Sequence, residues 1–215
     1  VFHVKHDRSH PLNPAPDLSR LDAPRLALID AYVALLLRWN RRINLIGEAS
    51  DETIRQRHIA DCLQLIALLP PGEGAVADLG AGAGLPGLVL AIATGRPMHL
   101  IESDRRKAAF LTEATARLGL AGVRIHATRI EDATLPPLAV VTARALAPLE
   151  RLLPYAARLL SPDGVAIFPK GRGADAELHT AQAGWTFLAE HFPSRTDPAA
   201  TIYRISDIRR ASAQS

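Results

Sequence analysis

Apolar positions follow a helical rhythm before residue 70, then break into short continuous runs that alternate with helical stretches. From Pro24, residues Leu26, Ile29, Val33, Leu36 and Leu37 recur at helical spacing, and Arg38, Arg41 and Arg42 gather where cations suit a helix C-terminus. Ser50 or Asp51 is placed to cap a second helix that buries Ile54, Ile59, Leu63 and Ile66. Pro70, Pro71, Gly72 and Gly74 then interrupt the chain. Beyond them the runs at 75–79, 98–102, 123–127, 139–143, 164–169, 185–189 and 201–205 read as strands, separated by helices over 86–94, 104–118, 147–160 and 174–183. Strands alternating with helices predict an α/β fold, a mostly parallel seven-stranded sheet covered on both faces. The last two strands have only Pro193 to Ala200 between them, so an antiparallel hairpin at the sheet edge is expected.

Three units follow from this pattern: an arm over 1–18, broken by Pro11, Pro14 and Pro16 and expected to be mobile, a helical extension over 19–72, and an α/β domain over 73–215, the last two packed as one globular unit. With 215 residues, 48% of them hydrophobic, the chain can bury a full core. Its single cysteine, Cys62, excludes an intrachain disulfide and suits a reducing cytoplasm. No apolar run approaches the roughly 20 residues of a membrane span. Residues 2–17 mix His, Lys, Asp and Pro without an apolar core, unlike a signal peptide. The net charge of +3 is compatible with an anionic partner such as nucleic acid but too small to require one. His3, His6 and His10 lack further partners at ligand spacing, so no metal site is expected.

The densest chemical signal is Asp78-Leu-Gly80-Ala-Gly82-Ala-Gly84-Leu-Pro-Gly87, leaving the first strand, with Glu102 closing the second. A strand, a glycine turn, a helix and a second strand ending in an acid let backbone amides approach a nucleoside while the carboxylate accepts from ribose hydroxyls. Gly82, Gly84 and Gly87 fit the dinucleotide fingerprint, which is weak alone. Asp78, two residues before the first glycine, would repel a pyrophosphate and suits the cationic amino group and sulfonium of S-adenosylmethionine. The methyl donor is therefore the expected ligand, ahead of a dinucleotide or an unliganded glycine turn.

Further segments carry a resemblance. Trp39-Asn40 with Asn44-Leu45, Arg57-His58-Ile59-Ala60-Asp61, Leu85-Pro86-Gly87, Glu102-Ser103 with Lys107 and Phe110-Leu111, Arg129-Ile130-Glu131, Thr142-Ala143-Arg144-Ala145 and Lys170-Gly171 stand in order between Tyr32 and Gly171. Together they resemble the bacterial small-subunit ribosomal RNA methyltransferases that act on guanine N7, also called glucose-inhibited division protein B. The resemblance implies a Rossmann-like class I S-adenosylmethionine-dependent methyltransferase, a cytoplasmic monomer acting on 16S ribosomal RNA or the small ribosomal subunit. It puts cofactor contacts on Gly80, Leu85, Ile130, Glu131 and Arg144. By the logic of the fold, Asp78 faces the methionine end, Gly82 continues the loop and Glu102 takes the ribose. Cys62 and Ala81 depart from the family's usual residues without removing a charge or a glycine.

Guanine N7 offers a lone pair and no proton, so no general base is needed and catalysis is expected to rest on alignment and water exclusion. The place where amine methyltransferases carry an Asn or Asp before Pro-Pro-aromatic reads Thr142-Ala143-Arg144-Ala145 here. Arg144 is the expected positioning residue, open to cofactor, phosphate or guanine edge, or to an ordinary salt bridge. Arg57, His58, Arg129 and Lys170 are expected to touch RNA, or to be solvated or packing residues. Cys62, on a helix before the glycine unit, is expected to be an inert buried thiol rather than a nucleophile. Methyl transfer to a protein or small molecule, and a non-catalytic ribosome-assembly module, are the alternatives.

Overall fold

A computed structural model describes residues 18–47 and 50–211; the arm expected over 1–18, with His3, His6 and His10, lies outside them apart from its last residue. The first long helix, Ala23–Asn40, starts where Asp22 accepts from the Arg25 backbone N–H (2.9 Å) and Pro24 occupies the first turn, whose N–H groups need no intrahelical partner. Its inner face is Ile29, Tyr32, Val33, Leu35 and Leu36.

The second helix begins as expected, with the Ser50 hydroxyl accepting from Thr53 N–H (3.0 Å), but it is not regular. One α-turn, Asp51–Thr53, passes into a π-helical stretch, Ile54–Ile59, then a short α-turn, Ala60–Leu63, and a 3-10 turn, Gln64–Leu68. Ala60 N–H reaches back five residues to Arg55 O. The wider turn has a source in the sequence: Ile54 and Ile59, both fully buried, are five residues apart and share the inner face only if the helix is locally underwound. Ile66, expected in the core, is only half-buried at its margin.

Seven strands follow: β1 (Val76–Leu79), β2 (Met98–Ile101), β3 (Val123–His126), β4 (Leu138–Thr142), β5 (Leu160–Lys170), β6 (Trp185–Pro193) and β7 (Thr201–Arg210). Their order is β3-β2-β1-β4-β5-β7-β6. The first five are mutually parallel, and β7 inserts antiparallel between β5 and β6. The expected hairpin is therefore present, with its first strand outermost.

Side chains alternate across this sheet. Val76, Leu100, Val140 and Ile167 join one core cluster with the N-terminal helices, while Ala77, Leu79, Val141 and Phe168 join the other beneath helices Leu149–Leu159 and Ala174–Gln182. The first cluster runs without a break from Ile29 and Leu36 through Ile59 and Leu63 to Leu88 and Phe110. Strand order reverses at β1, which has β2 on one side and β4 on the other. In open parallel sheets the crevice at such a point, beyond the strands' carboxyl ends, is where ligands bind. The loops after β1 and β4 both open there.

Candidate functional site

The loop after β1 is held by backbone hydrogen bonds to two acids. Gly87 N–H donates to Asp78 Oδ2 (2.9 Å), and Gly82 N–H donates to Glu102 Oε2 (2.8 Å). Asp104 N–H donates to the other Glu102 oxygen, Oε1 (2.8 Å). Gly80 and Gly82 adopt left-handed backbone, φ 65° and 51°, which lets two successive turns fit between the strand and the crevice. Gly87 serves close packing instead: a Cβ there would stand 2.3 Å from Leu100 Cδ2 and 2.8 Å from Asp78 Oδ2. From the opposite side, the buried Tyr32 hydroxyl donates to Ala83 O (2.7 Å), tying the first long helix to the loop.

Two cavities lie at the carboxyl ends of the strands. The first, of about 420 Å³, has Gly80, Gly82 and Glu102 on one side and Thr128, Ile130 and Glu131 on another. The second, of about 530 Å³, lies between the broken helix, the end of β5 and the β6–β7 turn, with Arg57, His58, Asp61, Lys170 and Thr196 among its walls. Arg144 to Ala147 line both and form the partition. Ala145 takes left-handed backbone (φ 51°) in this partition, a conformation that costs a non-glycine residue about 1 kcal/mol. The turn sends Arg144 toward the broken helix and lays Leu146 over Gly80. Leu146 is one of two large apolar side chains exposed among the described residues.

Arg144 is held from the broken helix. Its Nη2 donates to His58 Nδ1 (2.7 Å) and stands 3.4 Å from Asp61 Oδ2. His58 therefore accepts at Nδ1 and, when neutral, carries its proton on Nε2. Asp61 Oδ1 accepts from Thr196 Oγ1 and from Gln64 Nε2 (3.2 Å), and Arg195 N–H donates to Gln64 Oε1 (2.9 Å). Opposite, Lys170 Nζ donates to Glu177 Oε2 (2.8 Å) and to Ala147 O (2.6 Å).

Behind the partition lies a buried polar group of Asp78, Tyr32 and Cys62. Burial pushes the Asp78 carboxyl up to about 7, against the Gly87 hydrogen bond and the Arg144 charge. Its Oδ1 is buried with no hydrogen-bond partner. Burial likewise raises the Tyr32 hydroxyl and lifts the Cys62 thiol to about 12, with Arg144 pulling both down. A thiol in that state carries almost no thiolate at neutral pH.

The residues singled out in the sequence divide among these places. Gly80, Gly82, Glu102, Ile130, Glu131 and Arg144 come together around the first cavity. Asp78 and Leu85 do not line it; both are buried behind the loop, so Glu102 is the acid facing the cavity there. Glu131 is exposed and its carboxylate accepts from the Tyr155 hydroxyl, which lowers the Glu131 pKa. Arg57, His58 and Lys170 meet at the second cavity, whereas Arg129 stands with the first. The salt-bridge reading of Arg144 is realised together with its place between the cavities. The sequence by itself assigns no role to Tyr32, Asp61 or Leu146. Asp61 stood in a quoted motif, but nothing local tells that Arg144, 83 positions later, meets it. Among the described residues no group of three or more His, Cys, Asp or Glu side chains could hold a metal ion, and no helix is long and apolar enough to cross a membrane.

Known proteins match this chain in sequence and in fold. A family model described as rRNA small subunit methyltransferase G matches residues 25–199. A protein named ribosomal RNA small subunit methyltransferase G from Granulibacter bethesdensis is 51% identical over 98% of this chain and 100% of its own length. One of the same name from Acidiphilium cryptum is 56% identical over 85% of each. Among solved structures, the ribosomal protein L11 methylase of Lactobacillus delbrueckii subsp. bulgaricus superposes with a TM-score of 0.56 at 17% identity, covering 75% of this chain and 80% of that one. The glycopeptide N-methyltransferase MtfA gives a TM-score of 0.60 at 10% identity, covering 69% and 89%. At such identities these two likenesses speak for the fold.

Proposed function

The chain belongs to the rRNA small subunit methyltransferase G family, and from that premise we propose that it transfers the methyl group of S-adenosylmethionine to N7 of a guanine in 16S ribosomal RNA. The observation that carries this reading is the crevice at the β1/β4 switch point, where a glycine loop and Glu102 face one cavity and Arg144 opens onto a second.

The first cavity fits the donor. Glu102 keeps lone pairs beyond the two it gives to Gly82 and Asp104, and these accept from ribose hydroxyls. Ile130 supplies an apolar wall for adenine and Glu131 the polar edge beside it. Gly80 and Gly82 let the backbone come close to the methionine end, and Leu85 supports the loop from within the core. The orphaned Asp78 oxygen, close behind, supplies negative potential for a cationic amino group. When bound, the donor supplies an electrophilic methyl group on a sulfonium.

What the chain itself does is orient and enclose. Guanine N7 attacks with its own lone pair, so no side chain has to remove a proton at that atom. Arg144 aligns the two reactants from the partition, and Leu146 shields the gap over Gly80 from water. Arg57, His58 and Lys170 in the second cavity, with Arg129 at the first, meet the RNA. We infer that it works in the cytoplasm as a monomer, on the small subunit or its RNA.

Mass spectrometry of 16S rRNA from cells with and without this protein tests the proposal. The expected result is one guanosine carrying a methyl at N7 only when the protein is present. Identical nucleotide maps from both cells would sink it.

A further inference from the structure

Resting on that reading, we propose that the second cavity is the seat of the target guanine and that Asp61 reads its Watson–Crick edge, with Arg144 on O6. The two cavities share Arg144 to Ala147, so a base in the second presents its reactive edge to the methyl end of the first across this partition alone.

The order of donors and acceptors selects the base. Arg144 Nη2 is a donor and Asp61 Oδ2 an acceptor, side by side at 3.4 Å. Guanine presents O6, an acceptor, beside N1–H and the N2 amino group, both donors. Adenine presents the reverse, an amino donor beside the N1 acceptor, and would set donor against donor and lone pair against lone pair. With O6 on Arg144 and the Watson–Crick edge on Asp61, N7 on the far side of O6 keeps its lone pair for the methyl group. Arg144 Nη2 already donates to His58, so its direction is fixed before a base arrives.

Asp61 is fixed as well. Its Oδ1 is engaged by Thr196 and Gln64, and Gln64 is in turn bonded to Ser194 Oγ (3.2 Å) and to Arg195 N–H. Oδ2 is thereby turned toward Arg144, with the side chain 27% exposed. His58, near the end of the π-helical stretch, and Asp61, in the α-turn that follows it, lie three residues apart and reach the same guanidinium.

The test uses full-length protein and 16S rRNA in which the methylated guanosine, once mapped, is replaced by inosine, which lacks the N2 amino group. Wild-type protein should methylate the inosine RNA with kcat/KM about 10–100-fold below the guanosine RNA. Asp61→Asn should lose about 100-fold on guanosine RNA, keep its donor affinity by calorimetry, and show less than about a twofold difference between the two RNAs. Equal wild-type rates on both RNAs, or the same inosine penalty in Asp61→Asn, would overturn the assignment. Should Asp61→Asn fail to bind donor, the wild-type comparison decides alone. Absence of transfer to guanosine RNA by the wild type would instead overturn the underlying activity, and this inference with it.

Discussion

The two cavities that meet at Arg144 are made of different material. Around the first, the key contacts are backbone groups: Gly82 and Asp104 N–H on Glu102, Gly87 N–H on Asp78, and left-handed turns at Gly80 and Gly82. The second is walled by side chains that meet across long separations, such as Gln64 with Ser194, 130 positions apart. Backbone geometry can be fixed by residue type and spacing over a dozen positions. A wall of side chains from three remote segments needs the whole fold before any part of it exists. One cavity is accordingly brittle toward added atoms, the other sensitive to lost polar partners.

The largest effect should come from adding atoms to the first. In Gly80→Val the new Cβ would lie 2.6 Å from Leu146 Cδ1 and the backbone would stay at a φ that valine resists. Donor affinity should fall at least about 100-fold in calorimetry. Retained affinity would mean that the loop tolerates bulk, and the contrast between the cavities would collapse.

Next in size is a proton. Asp78 rises from 3.8 in the unfolded chain to about 7 in the fold. The folded protein thus holds a proton between those values that the unfolded chain has lost. Its contribution to stability is full below about pH 4 and is lost as pH rises through about 7. A cationic donor favours the ionised form, so donor affinity should climb from about pH 5.5 to about 7 by as much as tenfold per unit. Asp78→Asn, titrated in parallel, should be flat over that range. A wild-type titration that is also flat would remove Asp78 from the donor site.

The smallest effect tests the tie between helix and loop. Tyr32→Phe leaves Ala83 O buried without its hydroxyl partner, at a cost of about 1–2 kcal/mol in denaturant unfolding. Donor affinity should weaken severalfold at most. An unchanged unfolding midpoint would show that the loop holds its shape unaided.

Most of the fold was legible from period and punctuation. Ser50 and Gly95 end or begin helices as their types dictate, and the four predicted helices after Gly84 match Gly87–Thr94, Arg105–Arg117, Leu149–Leu159 and Ala174–Gln182 to within about two residues. The glycine loop and Glu102 were legible for the same local reason. The irregular second helix was not, because a single step of five between Ile54 and Ile59 is drowned by the α-helical spacing from Ile59 to Leu63. The surroundings of Asp78 are not legible in the sequence: the motif marks an acid beside the loop, whereas only the fold shows it fully buried behind the loop, with its carboxyl pushed up to about 7. Asp61 and Tyr32 carry no local signal, because their partners, Arg144 and Ala83, lie far along the chain.

The unbroken apolar layer from Ile29 to Phe110 bears on how such a catalyst can be cut and recombined. Seven strands transplanted without their leading helices would turn Leu88, Leu100 and Val140 toward water, each losing roughly 1.5–3 kcal/mol of burial. The glycine turn would also lose its brace from Tyr32. Modularity ends at this seam: the leading helices and the sheet can be exchanged only together.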